Sequence, residues 1–267
     1  MLPGDPAPRP PIPAFAPPAD RGRLTIEVLV VLGLSLGQSA VYSVTQLADN
    51  LSRGPLKGQS TALNPSRSDR PVFDAIYQIL PSLFDLVPVV LVCLLLWRHE
   101  RPRLGRLGID TRRPVADLGV GAALALVIGI GGIVIYVGGL ALGLTVRVDA
   151  APLSEQWWSI PVLVLAAFRA GASEEVIVIA YLFFRLRELG WSRWTIILSA
   201  AALRGSYHLY QGFSAFLGNF IMGVIFGWLF TRTGRVLPLV IAHTLINTAI
   251  FVGYPWAFST FPQFFGG

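Results

Sequence analysis

Pro161-Val-Leu-Val-Leu-Ala-Ala-Phe-Arg-Ala-Gly-Ala-Ser-Glu-Glu-Val-Ile-Val-Ile-Ala-Tyr-Leu-Phe-Phe184 is an apolar run with two adjacent glutamates, Glu174 and Glu175, near its middle. A membrane-spanning helix needs about 20 mostly apolar residues, and this run supplies them. A carboxylate at the centre of a bilayer costs roughly 2.5–3.5 kcal/mol on insertion scales, so a pair placed there points to a role.

The rest of the chain has the same character. Of its 267 residues 54% are hydrophobic and 13% charged, against about 25% charged in soluble domains. So much apolar surface cannot be hidden in a water-facing core. The expected fold class is all-α, a polytopic transmembrane helix bundle of seven to eight spans. Spans are predicted at about 24–47, 72–97, 118–144, 194–210, 213–230 and 236–254. The stretch 158–189 is too long for one perpendicular span and is predicted to be tilted, kinked at Gly171 or Ser173, or partly re-entrant. Residues 1–23 are rich in Pro and Ala and are expected to form a disordered tail, with 24–267 a single transmembrane domain. The aromatic C-terminal end, with Trp256, Phe258, Phe261, Phe264 and Phe265, suits a membrane interface. Gly223 and Gly227 have the spacing that lets helices approach closely in lipid.

The net charge of +6 does not indicate a nucleic-acid partner, because the basic residues fall between the apolar runs. They read as topology signals. Arg98, Arg101, Arg103, Arg106, Arg112 and Arg113, then Arg185, Arg187 and Arg193, then Arg232 and Arg235 mark cytoplasmic connections. The expected location is the inner (plasma) membrane, multi-pass, with the N-terminus cytoplasmic. Arg53, Lys57, Arg67 and Arg70 run against this rule in the first external connection. The single cysteine, Cys93, permits no intrachain disulfide.

Further polar groups lie in the apolar stretches of the C-terminal half. Arg204 precedes His208 by four residues and His243 precedes Asn247 by four, so each pair is expected on one helix face. Glu174 and Glu175 are expected to project in different directions, Glu175 toward Arg169 or Arg204. Asp85 reads as a structural partner and Glu27 as interfacial. A lone intramembrane His or Asn more often bonds a neighbouring helix than catalyses. The joint set, however, supplies a water-activating base and oxyanion donors, which are the requirements of peptide hydrolysis.

The order Glu174-Glu175-Val-Ile-Val-Ile179, Arg204-Gly-Ser-Tyr-His208 and His243-Thr-Leu-Ile-Asn247 resembles the motifs of the CPBP (CAAX prenyl protease and bacteriocin-processing, or Abi) family of intramembrane proteases. The resemblance covers about residues 158–250. It implies an endopeptidase acting on a membrane-associated protein or peptide, CAAX-processing-like, with Glu174 activating water, His208 assisting, and His243 and Asn247 stabilising the oxyanion. Glu175 completes the catalytic set and Arg204 supports it. It also implies a glutamate mechanism without metal or other cofactor. Glu and His are zinc ligands too, but no His-Glu-x-x-His spacing occurs. Two positions depart from the family pattern: Ile179 stands for its arginine and Arg204 for its phenylalanine. A guanidinium relocated from the first motif to the second would meet the same glutamates. The rival readings are a non-catalytic membrane scaffold or peptide-immunity protein of the same fold, and a small transporter or proton relay.

Overall fold

The computed structural model describes residues 18–101, 103–150 and 156–260. They form α1 (Pro18–Gly33), α2 (Leu36–Arg53), β1 (Ser60–Leu63), α3 (Pro71–Phe84), α4 (Val87–Leu95), α5 (Pro114–Ala141), β2 (Arg147–Ala150) and α6 (Ser159–Ser173). A π-helical segment, Glu174–Tyr181, leads without a break into α7 (Leu182–Glu188). Then come α8 (Arg193–Ser206), α9 (Phe213–Thr233), α10 (Leu237–Thr248) and α11 (Tyr254–Thr260). Local chemistry sets several boundaries. Proline opens α3, α5 and α10 in the first turn, where its missing N–H is not needed. Ser192 caps α8 by accepting a hydrogen bond from the Thr195 amide at 3.2 Å. Gly234, at φ +66°, ends α9 in the left-handed conformation.

Four helical stretches among the described residues are long and apolar enough to cross a membrane: Pro71–Leu95, Pro114–Ala141, Phe213–Thr233 and Leu237–Trp256. The α1–α2 pair, bent by 54°, makes a fifth if taken as one span. That is fewer than the seven to eight expected, and three elements account for the difference. The predicted span at 24–47 breaks at Ser35, whose hydroxyl turns back to the Val31 carbonyl at 2.6 Å. The run from α6 to α7 carries Arg169, Glu174, Glu175, Arg185 and Arg187 along its length. The helix predicted to reach 210 stops at Ser206. Helix α1 begins at Pro18, inside the stretch read as a tail, while residues 1–17 and the aromatic residues from Phe261 onward lie outside the described residues.

A small parallel pair, β1 with β2 in the register Ser60↔Arg147 to Leu63↔Ala150, departs from the all-α expectation. It joins the connections after α2 and after α5. Beside it, the Val146 amide donates to the Gln211 carbonyl at 2.9 Å and Phe213 to Leu144 at 2.8 Å. The arginine-bearing connections meet elsewhere. Arg235 binds Asp110 and Asp117, Val236 donates to the Leu107 carbonyl, and Arg106 lies 3.8 Å from Glu188.

The π-helical segment is the centre of the bundle. Ile177, Val178, Ile179, Ala180 and Tyr181 are all 0% exposed. Helix α5, by contrast, exposes Leu126, Val127, Ile130, Ile133 and Val134, an apolar face that suits lipid contact. Helix α10 packs between α5 and α6, and α8 against α9. Glycines permit both contacts. A Cβ on Gly171 would come within 2.8 Å of Thr244 Oγ1, and one on Gly223 within 2.9 Å of Ala201 Cα. Neither Gly171 nor Ser173 interrupts the helix, and the change of pitch comes at Glu174.

Candidate active site

Three helices bring the candidate residues together. Glu174 and Glu175 open the π-helical segment, a helix form rarely seen and often found at functional sites. Its i→i+5 pattern takes a smaller angular step per residue than an α-helix. The difference is too small to bring adjacent side chains onto one face, and the two carboxylates meet in one cluster because Arg204 and His243 reach both. Glu175 is 0% exposed. Its Oε1 accepts hydrogen bonds from Arg204 Nη2 and, at 2.7 Å, shares a proton contact with His243 Nδ1. Arg204 Nη2 also lies 3.9 Å from Glu174 Oε2.

Arg204 sits in the last turn of α8, fully buried, with its guanidinium 5.5 Å from the Phe226 ring centroid. Gly223 makes room for it, since a Cβ there would approach Arg204 Cδ to 3.3 Å. Of the two arginines weighed as partners of Glu175, Arg204 is the one that reaches it. Arg169 instead binds the Asp85 carboxylate at 3.2 Å. Asp85 stands where the α3–α4 helix is interrupted, because Pro88 has no N–H to offer the Phe84 carbonyl. Glu27, read as interfacial, is engaged by Tyr181 at 3.0 Å and by Arg185 at 2.7 Å.

Glu174 lies among three ring systems. Its Oε2 accepts a hydrogen bond from the Tyr207 hydroxyl at 2.7 Å. His208 Nε2 lies 3.8 Å from the same oxygen, and His243 Nε2 lies 4.0 Å from Oε1. Both distances exceed a direct hydrogen bond. His208 does not share a helix face with Arg204 as expected. Helix α8 ends at Ser206, Tyr207 caps it, and His208 occupies the turn beyond. The turn is what carries the imidazole back toward Glu174.

Asn247 is partly buried on α10, one turn after His243. Among the described residues it forms no hydrogen bond with the other candidates. Tyr207 is the residue that sequence reasoning missed. The only sequence signal for it is its place immediately before His208. Nothing in the local pattern aims its hydroxyl at a carboxylate 33 positions earlier.

Glu174, Glu175 and His243 offer ligand atoms that lie within 4.8 Å of one another, a grouping that could hold a metal ion. Glu175 Oε1 is already held by a guanidinium and an imidazole, and a cation bound through the other oxygen would face the Arg204 charge. Among the described residues several buried atoms of the cluster have no hydrogen-bond partner: Glu175 Oε2, Arg204 Nε and Nη1, and both ring nitrogens of His208. A carboxylate base, a second carboxylate paired with a guanidinium, and two imidazoles around them can take a proton from water and offer donors to a developing anion.

Residues 156–249 match the model of a family described as Type II CAAX prenyl endopeptidase Rce1-like. The matched stretch contains Glu174, Glu175, Arg204, His208, His243 and Asn247, and agrees with the resemblance drawn from the three motifs. At family level it supports a protease, hence a hydrolase, of the membrane. No curated protein and no solved structure matches the chain.

Proposed function

We propose, from this match to a CAAX endopeptidase family and from the acid–histidine cluster inside the matched stretch, that the protein is an intramembrane endopeptidase. It hydrolyses a peptide bond of a membrane-associated protein or peptide, in the manner of CAAX processing. The observation that carries the reading is Glu174. Among the described residues its carboxylate accepts a hydrogen bond from Tyr207 alone, and imidazole nitrogens of His208 and His243 stand 3.8 and 4.0 Å from its oxygens without bonding them directly.

In this reading a water held between Glu174 and His208 gives its proton to the Glu174 carboxylate as its oxygen attacks the scissile carbonyl. Glu175 does not touch the substrate. It positions His243 by accepting from Nδ1, and it is itself held by Arg204. His243 Nε2 and the Asn247 amide then stabilise the oxyanion. Donation from both nitrogens of His243 requires the imidazolium form. With Glu174 and Glu175 ionised, Arg204 and His243 balance them charge for charge, which keeps a buried cluster neutral overall. Glu174 returns its proton to the departing amine. No step uses a metal or other cofactor. The arginine-bearing connections face the cytoplasm of a cell-limiting membrane, in line with the positive-inside rule.

The test is turnover of a peptide library that includes prenylated CAAX peptides, by the full chain in lipid nanodiscs. Glu174→Gln is expected to lower kcat by about 1,000-fold or more, beyond the range of general-base catalysis alone because the carboxylate also holds the water. Equal turnover by wild type and Glu174→Gln refutes the assignment. One observation favours the scaffold reading, the replacement of the family motif's arginine by Ile179. It predicts no turnover by either protein.

A further inference from the structure

An open depression of about 370 Å³, lined by amide and hydroxyl side chains, lies beside the cluster, between α2 and the turn after α8. Helix α2 contributes Gln38, Ser39, Tyr42, Ser43 and Gln46, and the turn contributes Tyr207 and Tyr210. The α2 residues fall at spacings of one, four, five and eight, which is a single stripe along the helix. The face of α2 next to this stripe is apolar and turned inward: Leu36 and Ala40 pack on the core and Leu47 is buried. A stripe of amide and hydroxyl groups on a helix of a membrane bundle is costly against lipid but suits a wet cavity.

We infer that this depression is a binding groove for an extended peptide backbone, and that it delivers the substrate to Glu174. The inference rests on the proteolytic reading of Glu174. Tyr207 makes the connection, because the residue that lines the groove also donates its hydroxyl to Glu174 Oε2 at 2.7 Å. The groove is fastened to the turn where Ser43 Oγ accepts from the Tyr210 amide at 2.7 Å. Gln38, Ser39, Tyr42 and Gln46 are exposed and, among the described residues, their side chains form no hydrogen bonds.

Chemistry selects the occupant. Among the described residues the lining carries no charged side chain, so a phosphate headgroup or another strongly charged ligand finds no counter-charge there. Glutamine amides and hydroxyls both donate and accept, which complements the alternating N–H and C=O of a peptide. The stripe from Gln38 to Gln46 runs about 12 Å along the helix at 1.5 Å per residue. At about 3.3 Å per extended residue that length meets three to four residues of substrate. Recognition through backbone amides fixes the position of a scissile bond while tolerating varied side chains.

The experiment uses the full chain in nanodiscs. In kinetics, Gln38→Leu with Gln46→Leu is expected to raise KM for a cleaved peptide about tenfold while kcat stays within about twofold. Val41→Leu, on an exposed apolar side chain of the same helix, should change neither. If the double variant elutes as an aggregate, Ser39→Ala and Gln46→Ala singly carry the same test. In cross-linking, Cys93→Ser removes the sole cysteine, and Gln38→Cys is then offered a haloacetyl peptide. Labelling that excess unmodified peptide competes away, in both the active protein and Glu174→Gln, supports the groove. Competed labelling in a wild type that never cleaves peptide keeps the groove and removes the protease reading. Cleavage with unchanged KM and no competed labelling overturns the groove and leaves the protease reading standing.

Discussion

Arg235 and Arg204 each gather two carboxylates, but they finish the task differently. Arg235 binds Asp117 through Nε at 2.8 Å and Nη2 at 2.6 Å, and Asp110 through Nη1 at 3.3 Å and Nη2 at 3.0 Å. All three of its nitrogens are used. Among the described residues Arg204 uses Nη2 alone, leaving Nε and Nη1, Glu175 Oε2 and both His208 nitrogens without hydrogen-bond partners. Buried polar groups are satisfied almost everywhere in native proteins, so unpaired atoms gathered in one place need an explanation. The Arg235 cluster lies between helix ends and ties the connection after α4 to the one after α9. The Arg204 cluster lies amid the bundle and keeps hydrogen-bonding capacity in reserve. A fully saturated cluster is a fastener, whereas an unsaturated one can still bind water or substrate.

The strongest way to break this contrast is Arg204→Ala. It strands the buried Glu175 carboxylate, so stability should fall by roughly 3–5 kcal/mol, the usual cost of removing one partner of a buried pair. Activity should fall by about 100-fold or more as His243 loses its fixed orientation. Thermal unfolding and turnover per folded molecule measure the two effects. Full activity would refute the idea that Arg204 does the work of the arginine replaced by Ile179. Arg235→Ala should do the reverse. It removes charge-assisted hydrogen bonds worth roughly 1.5–3 kcal/mol, while kcat per folded molecule stays unchanged. A parallel loss of kcat would erase the distinction between the clusters.

Tyr207→Phe sharpens the contrast at one atom. It deletes the hydroxyl that donates to Glu174 without changing the ring packed beside His208, at 4.9 Å between centroids. The expected drop in kcat is about tenfold, the equivalent of one charge-assisted hydrogen bond, with little change in melting temperature. An unaltered kcat would remove Tyr207 from the site. The smallest effect concerns pH. Burial works to raise the Asp110 carboxyl, but the Arg235 side chain and the Arg112 amide outweigh it and hold the group below its usual range. A carboxyl lowered by folding contributes stability that is complete above its unfolded value, about 3.9, and is lost as pH falls through its folded value. Melting temperatures of wild type and Asp110→Asn should therefore differ near pH 6 and converge as pH falls below about 4. A constant gap across that range would show that Asp110 acts through shape rather than charge.

Much of the fold could be read from local pattern, and the exceptions are instructive. The apolar runs at 118–144 and 213–230 correspond closely to α5 and α9, since hydropathy over 20 or so residues is a local property. The break at Ser35 and the end of α8 at Ser206 were not legible, because no proline or helix-ending glycine marks either point. The β1–β2 pairing joins strands more than 80 positions apart and leaves no periodic trace in either. At the site, Glu175 was expected to meet Arg169 or Arg204, and only packing chooses between them.

By itself the amino-acid sequence determined that the chain holds long apolar helices, that acid, imidazole and amide side chains follow one another within its apolar stretches in a protease-like order, and where the arginine-rich connections fall. Those properties follow from residue types and from spacings within a few turns. Tertiary structure decided that both glutamates turn to one cluster, that Tyr207 is the donor to Glu174, and that the polar stripe of α2 opens beside it. The contacts responsible span 29 positions from Arg204 to Glu175, 33 from Tyr207 to Glu174 and 68 from His243 to Glu175. Helical periodicity specifies which face a side chain occupies, but only the packing of one helix on another specifies what that face meets.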